Sequence, residues 1–217
     1  KQYTFKLRRG VAFHKTKYFT PTREFNATDV LFSVNRQRLN EHPYHRIGGG
    51  NYEYFSGMEM GKLIKSIESV DDYTIKITLH KPESPFLANL AMGFMSILSA
   101  EYAHKLTSEK MMDRIDTHPV GTGPFIFRSY IKDTLIRYKV NKKYFEGRSK
   151  LDKLVFSITP DASVRYQKLK TGECHLITEP APADLGSMQA NSSHIKLMSA
   201  PGLNVGYLAM NVNKKPF

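Results

Sequence analysis

The chain has 217 residues, 41% of them hydrophobic and 24% charged, which is ordinary for a globular protein with a buried core. Its most apolar run, 86–100, is broken by Asn89, Gly93 and Ser96, so it falls short of the roughly 18 continuous apolar residues of a membrane span. The formal net charge of +12 is uneven: residues 1–120 carry 17 basic against 13 acidic side chains, and residues 121–217 carry 15 against 7.

From the start, Tyr3, Phe5 and Leu7 alternate with Thr4, Lys6 and Arg8, then a turn near Arg9-Gly10 leads into Val11-Ala12-Phe13, a pattern that predicts a half-buried hairpin. Residues 27–39 set Val30, Leu31, Val34 and Leu39 close to one helical face. Asn26, with Asp29 three residues on, supplies the helix cap. Gly48-Gly49-Gly50 keeps 47–52 out of helix and strand. A short helix within 60–69 is expected to lead into a strand ending at Val70. Asp71-Asp72 then marks a hairpin into the alternating run 74–79. Helical segments follow at 86–98 and 100–106.

The run His118-Pro119-Val120-Gly121-Thr122-Gly123-Pro124-Phe125 turns tightly and is read as a domain crossing. Strands are predicted at 125–130, 135–140 and 153–158. An amphipathic helix at 162–170 has Val164, Tyr166 and Leu169 inside, and a short helix spans 182–189. Further strands are predicted at 174–178, 194–199 and 204–211. The fold class is mixed α/β, with antiparallel hairpins and crossovers together.

Little in the sequence suggests a reaction. No serine stands between glycines as in a nucleophile elbow, and Asp71-Asp72 is a turn pair whose carboxylates serve their own backbone. His42 and His45 are three apart, but Pro43 between them argues against a helix, and no third ligand lies nearby; two solvent-facing loop histidines are expected. No metal or other cofactor is predicted. Cys174 is either a free buried thiol or one whose partner lies outside the chain. The basic cluster of 128–153 reads as a solvated hairpin face; a nucleic-acid surface is the weaker reading, since no zinc-finger, RNP or basic heptad pattern accompanies it. The triple glycine loop, with Asn51, Tyr52 and Tyr54 after it, offers bare backbone, an amide and amphipathic rings, which suits binding better than reaction.

Four segments together, 3–11, 26–33, 120–125 and 201–207, resemble those of the bacterial dipeptide/oligopeptide-binding proteins, especially their dipeptide-, haem- and glutathione-binding members. Tyr52-Glu53-Tyr54-Phe55 and the run 156–166 extend the similarity over nearly the whole chain. The resemblance implies a two-lobed periplasmic clamshell of mixed sheets with flanking helices. It closes on a ligand and delivers it to an ABC permease; it is not an enzyme. It implies residues 1–120 as the accessory domain of the first lobe, 121–200 as part of the ligand-binding first lobe, and 201–217 as a strand leading to the hinge. Both ends read as cut: a leading segment before Lys1 and a second lobe after Phe217 are expected.

On the same basis Gly49, Gly50, Asn51 and Tyr52 match a wall of the ligand pocket, and the charged groups that fix a peptide's ends belong to the second lobe. Cys174 matches a cysteine that pairs with one near the mature N-terminus, which implies an oxidising periplasm. The implied ligand is a small peptide, a dipeptide or glutathione. Haem is the alternative, with Tyr52, His42 or His45 as axial candidates. The implied protein is a periplasmic monomer, soluble or lipid-anchored, with no nucleic-acid partner.

Overall fold

The computed structural model describes residues 1–202, 206–213 and 215. The chain forms two compact units, Lys1–Ile158 and Thr159–Phe217.

The first unit opens with β1 (Gln2–Lys6), followed by α1 (Ala27–Arg38), α2 (Glu53–Gly57), α3 (Met60–Leu63), β2 (Ile64–Asp71) and β3 (Thr74–Leu79). The three strands form an antiparallel sheet in the order β1-β3-β2. Here the predicted 3–13 hairpin is corrected. β1 pairs with β3, Tyr3 opposite Ile77 and Phe5 opposite Ile75, while 11–13 contributes only a bridge from Ala12 to Glu24. Ile75 and Ile77 are buried, so pairing with β3 lets Tyr3 and Phe5 pack against a core that a local hairpin lacks. The Asp71-Asp72 turn is as predicted, and Asp71 accepts from the Tyr73 N–H and the Thr74 hydroxyl, both at 2.8 Å. Those bonds hold its carboxyl below the usual range.

α1 is capped as its sequence predicts. The Asn26 side chain accepts from Thr28 N–H, and Asp29 reaches back to Asn26 N–H, both at 3.0 Å. Val34 is buried, with Val30 and Leu31 packed behind it. The helix also buries a polar stripe, Asp29, Ser33 and Arg36, at helical spacing. Asp29 is fully enclosed; it takes two bonds from Arg23, at 2.7 and 2.8 Å, and one from Ala100 N–H at 2.8 Å. Ser33 accepts from Leu98 N–H at 2.8 Å.

Beyond the sheet come α4 (Phe86–Leu90), α5 (Ala100–Ser108) and α6 (Arg114–Thr117). The expected 86–98 helix is thus shorter, ending before Gly93, where a 3-10 turn follows. The expected 60–69 helix is only α3, because Ile64 already enters the sheet opposite Leu79. A second antiparallel sheet, β4 (Phe125–Ile131), β5 (Leu135–Val140) and β6 (Lys153–Ser157), agrees closely with prediction. Its 121–124 approach is pinned from two sides: His14 Nε2 and Asn141 Nδ2 both donate to Gly123 O, at 2.8 and 3.0 Å.

The second unit contains α7 (Ala162–Lys170), whose Asp161 cap accepts from Val164 N–H at 2.8 Å, and α8 (Leu185–Ala190), entered by a 3-10 turn. Tyr166 is buried and its hydroxyl meets Ser187 Oγ at 2.9 Å, whereas Val164, expected inside, is exposed. Neither 174–178 nor 194–199 is a strand. Of the predicted strand at 204–211, residues 204 and 205 lie outside the described residues and 206–211 is not a strand. A strand exists only when a second one satisfies its N–H and C=O groups, and no described segment does so here.

Removing the Asp29 carboxylate leaves a guanidinium and two backbone N–H groups without their acceptor. Asp29→Ala is expected to lower stability by about 3–5 kcal/mol, read from denaturant midpoints. His14 is held below its ordinary 6.5, chiefly by burial. Unfolded, it takes a proton near 6.5; folded, it resists one, so its contribution is complete above about pH 6.5 and declines as pH falls towards the folded value. Unfolding curves between pH 8 and 5 should show that decline, and His14→Gln should make it shallower, leaving the share of His42 and His118, which burial also lowers.

Candidate functional site

The three glycines are required by their backbone. Gly48, Gly49 and Gly50 have φ of 79°, 100° and 71°, in the region that side chains avoid. Gly48 has a second constraint: a Cβ there would stand 2.6 Å from Asp116 Oδ2. The loop therefore closes over Asp116, whose other carboxylate oxygen accepts from Arg36 Nη2 at 2.8 Å.

Arg36 is the centre of this region. It is buried, its Nε donates to the Tyr52 hydroxyl at 3.1 Å, and its guanidinium carbon lies 5.8 Å from the Tyr52 ring centroid. Burial opposes its charge, but Asp116 and Tyr52 more than offset that, and Arg36 is held above its ordinary range. The Tyr52 hydroxyl in turn donates towards the carbonyls of His45 and Tyr44, at 3.0 and 3.3 Å. Tyr52 thus turns its polar end inward and leaves its ring for contact.

Asn51 and Tyr52 line a groove of about 370 Å³, within the range of small-molecule sites, together with Ser33, Arg36, Gln37 and Phe94. Gly49 and Gly50 shape the loop that carries them but do not line the groove. Exposed Tyr54 stacks on Phe94 with centroids 6.3 Å apart and planes at 11°, and Gln37 fixes that shelf by donating to Phe94 O at 2.9 Å. The Asn51 side chain makes no hydrogen bond among the described residues, so its amide is available.

The histidines are not solvent-facing as expected. His42 is half-buried between Phe32 and Tyr44 and accepts from Tyr44 N–H at 3.2 Å. Burial, then the charge of Arg36, pulls it below its ordinary value. His45 Nδ1 donates to Arg36 O at 2.9 Å. Among the described residues no three His, Cys, Asp or Glu side chains gather as a metal site. Cys174 is a half-buried free thiol outside any strand. Of the hydroxyls on the groove wall, that of Ser33 donates to Asp29 O at 2.7 Å and accepts from Leu98 N–H at 2.8 Å.

Sequence reasoning missed Arg36, Gln37, Phe94 and Asp116. The first was detectable, since Asp29, Ser33 and Arg36 repeat at helical spacing beside an apolar face; Asp116, 80 residues away, left no sign.

The family model "Bacterial extracellular solute-binding proteins, family 5 Middle" matches residues 1–217. The chain is 52% identical over 216 residues to a dipeptide-binding protein of Escherichia coli, covering all of this chain and 40% of that one. It is 51% identical over 215 residues to heme-binding protein A of Haemophilus influenzae, covering 99% and 39%. Among solved structures, a dipeptide-binding protein of a Pseudoalteromonas in complex with Met-Leu superposes with a TM-score of 0.84 at 42% identity, covering 87% of this chain and 37% of that one. The chain therefore spans about 40% of the length of the relatives it matches.

Gly48→Ala combines positive φ with the contact on Asp116 and is expected to cost about 1–3 kcal/mol. Gly49→Ala, with open space around its Cβ, should cost less. If the clash is responsible, Asp116→Ala will remove the difference between the two in a double-mutant cycle read by thermal unfolding.

Proposed function

The chain belongs to family 5 of the bacterial extracellular solute-binding proteins, and on that premise we propose that the protein carrying it is the periplasmic binding component of an ABC importer for small peptides. The observation that carries this reading is identity above 50% along the entire chain to a dipeptide-binding protein. The groove supports it: an inward-turned tyrosine, a free amide and a stacked aromatic shelf recognise a peptide by contact and hydrogen bonding, not by reaction.

In this reading, Gly49 and Gly50 hold the loop, and Asn51 and Tyr52 form the accessory wall against which ligand closes. Residues 1–120 serve as accessory domain, 121–200 as part of the first lobe and 201–217 as the approach to the hinge. Cys174 pairs with a cysteine outside this sequence, and the monomer hands its peptide to the permease. Glutathione is the finer candidate for the ligand, because the net positive charge of these residues draws an anionic peptide by long-range attraction. Haem is a second reading, favoured by the relative named for it. It has less support in the groove, where the Tyr52 hydroxyl and His45 Nδ1 already have partners.

Calorimetry on the whole protein should give saturable dipeptide binding, and residues 1–217 alone should bind negligibly. Asn51→Ala in the whole protein should weaken binding about three- to tenfold, the worth of one net hydrogen bond. Micromolar affinity in residues 1–217 alone would overturn the reading that this chain holds only part of the site, and no effect of Asn51→Ala would remove the groove from it.

A further inference from the structure

A larger cavity, about 920 Å³, lies in the first unit between the 12–24 loop and the β4–β5 hairpin. Lys15, Lys17, Arg128, Lys139, Lys142 and Lys143 line it. Among the described residues none of these six is in an ion pair, and none of their charged groups makes a hydrogen bond. The seventh cation on the wall, Arg23, is committed to Asp29. The one carboxylate on the wall, Glu24, accepts from Gly10 N–H at 3.0 Å.

All six residues are exposed, and the local backbone brings them to the wall of one cavity. Arg128 falls at the register shift between Phe127 and Ser129, and a bulge re-aims the side chain it carries. Lys142 and Lys143 sit on a turn fixed by buried Asn141, whose Oδ1 accepts from Lys143 N–H at 3.0 Å and whose Nδ2 is bonded to Gly123 O. Lys15 and Lys17 arrive from a loop more than 100 residues earlier in sequence, anchored beside them by buried His14. Burial is the main cause that lowers His14, and the charge of Lys139 adds to it, so the positive field reaches the cavity floor. Phe13, Ile126 and Phe127 give the same cavity apolar walls.

Six unpaired cations on the wall of one cavity favour an anion placed among them, and a concavity of this size fits a small molecule better than an extended polymer. We propose that this cavity binds a small organic anion carrying two or more carboxylate or phosphate groups, at a site separate from the peptide groove. The negative groups meet the lysines and Arg128, and the organic body meets the apolar wall. The inference stands on the cavity alone and does not require the peptide reading.

The test is calorimetry on the whole protein with citrate and with inorganic pyrophosphate, at low salt and at about 0.15 M ionic strength, where charges more than about 8 Å apart are screened. Sedimentation with phosphatidylglycerol vesicles serves as a parallel arm. One saturable site per chain for either free anion, persisting at the higher salt, is expected. The double variant Arg128→Gln/Lys139→Gln should weaken it at least about tenfold. Lys65→Gln/Lys150→Gln, an equal change of net charge away from the cavity, should leave it unchanged. Thermal midpoints verify that both variants fold, and unchanged dipeptide affinity in the first keeps the two sites distinct. Equal weakening by the two pairs, binding lost at the higher salt, or attachment to vesicles without binding of either free anion would overturn the proposal.

Discussion

The first unit depends on the polar stripe that α1 buries. A buried charge is tolerated only when it is paired and hydrogen-bonded, and Asp29 and Arg36 achieve this by drawing distant segments to themselves. Asp29 fixes Arg23 and the start of α5, Ser33 fixes Leu98, and Arg36 fixes Tyr52 and Asp116. These bonds are directional where apolar packing is not. They set which loop lies over which helix end and so give the groove its shape.

The same stripe explains the chemical character of the two cavities. Arg36 reaches the groove with its charge already balanced by Asp116, so the groove presents rings, the amides of Gln37 and Asn51, and one carboxylate, that of Glu53. The larger cavity has the opposite accounting, with six unpaired cations and a single carboxylate that is itself hydrogen-bonded. One unit thus offers a mainly aromatic and amide-lined surface and a strongly positive one, which suit ligands of different chemistry.

The second unit is held by fewer constraints. α7 is capped by Asp161, and Arg165 bonds the carbonyls of Thr159, Pro160 and Glu179, fastening the turns around the helix. Leu176, Met198, Tyr207, Leu208 and Val212 are all more than 70% exposed. The first four fall in segments whose sequence predicts strands, yet no described strand pairs with them.

The sequence by itself determined whatever depends on neighbours along the chain. The Asn26–Asp29 cap, the Asp71 turn, the limits of β3, β5 and α7, and the special backbone of the three glycines each follow from a side chain acting within a few residues, and all were legible. The family, too, was carried by local segments taken together. Tertiary structure alone decided what depends on residues far apart: that β1 pairs with β3 and not with 11–13, that Asp116 neutralises Arg36, and that Lys15 and Lys17 share a cavity with Lys142 and Lys143. The physical reason is that a ladder, an ion pair and a cavity wall each need a second partner, and a sequence states the residue without stating which distant segment will face it.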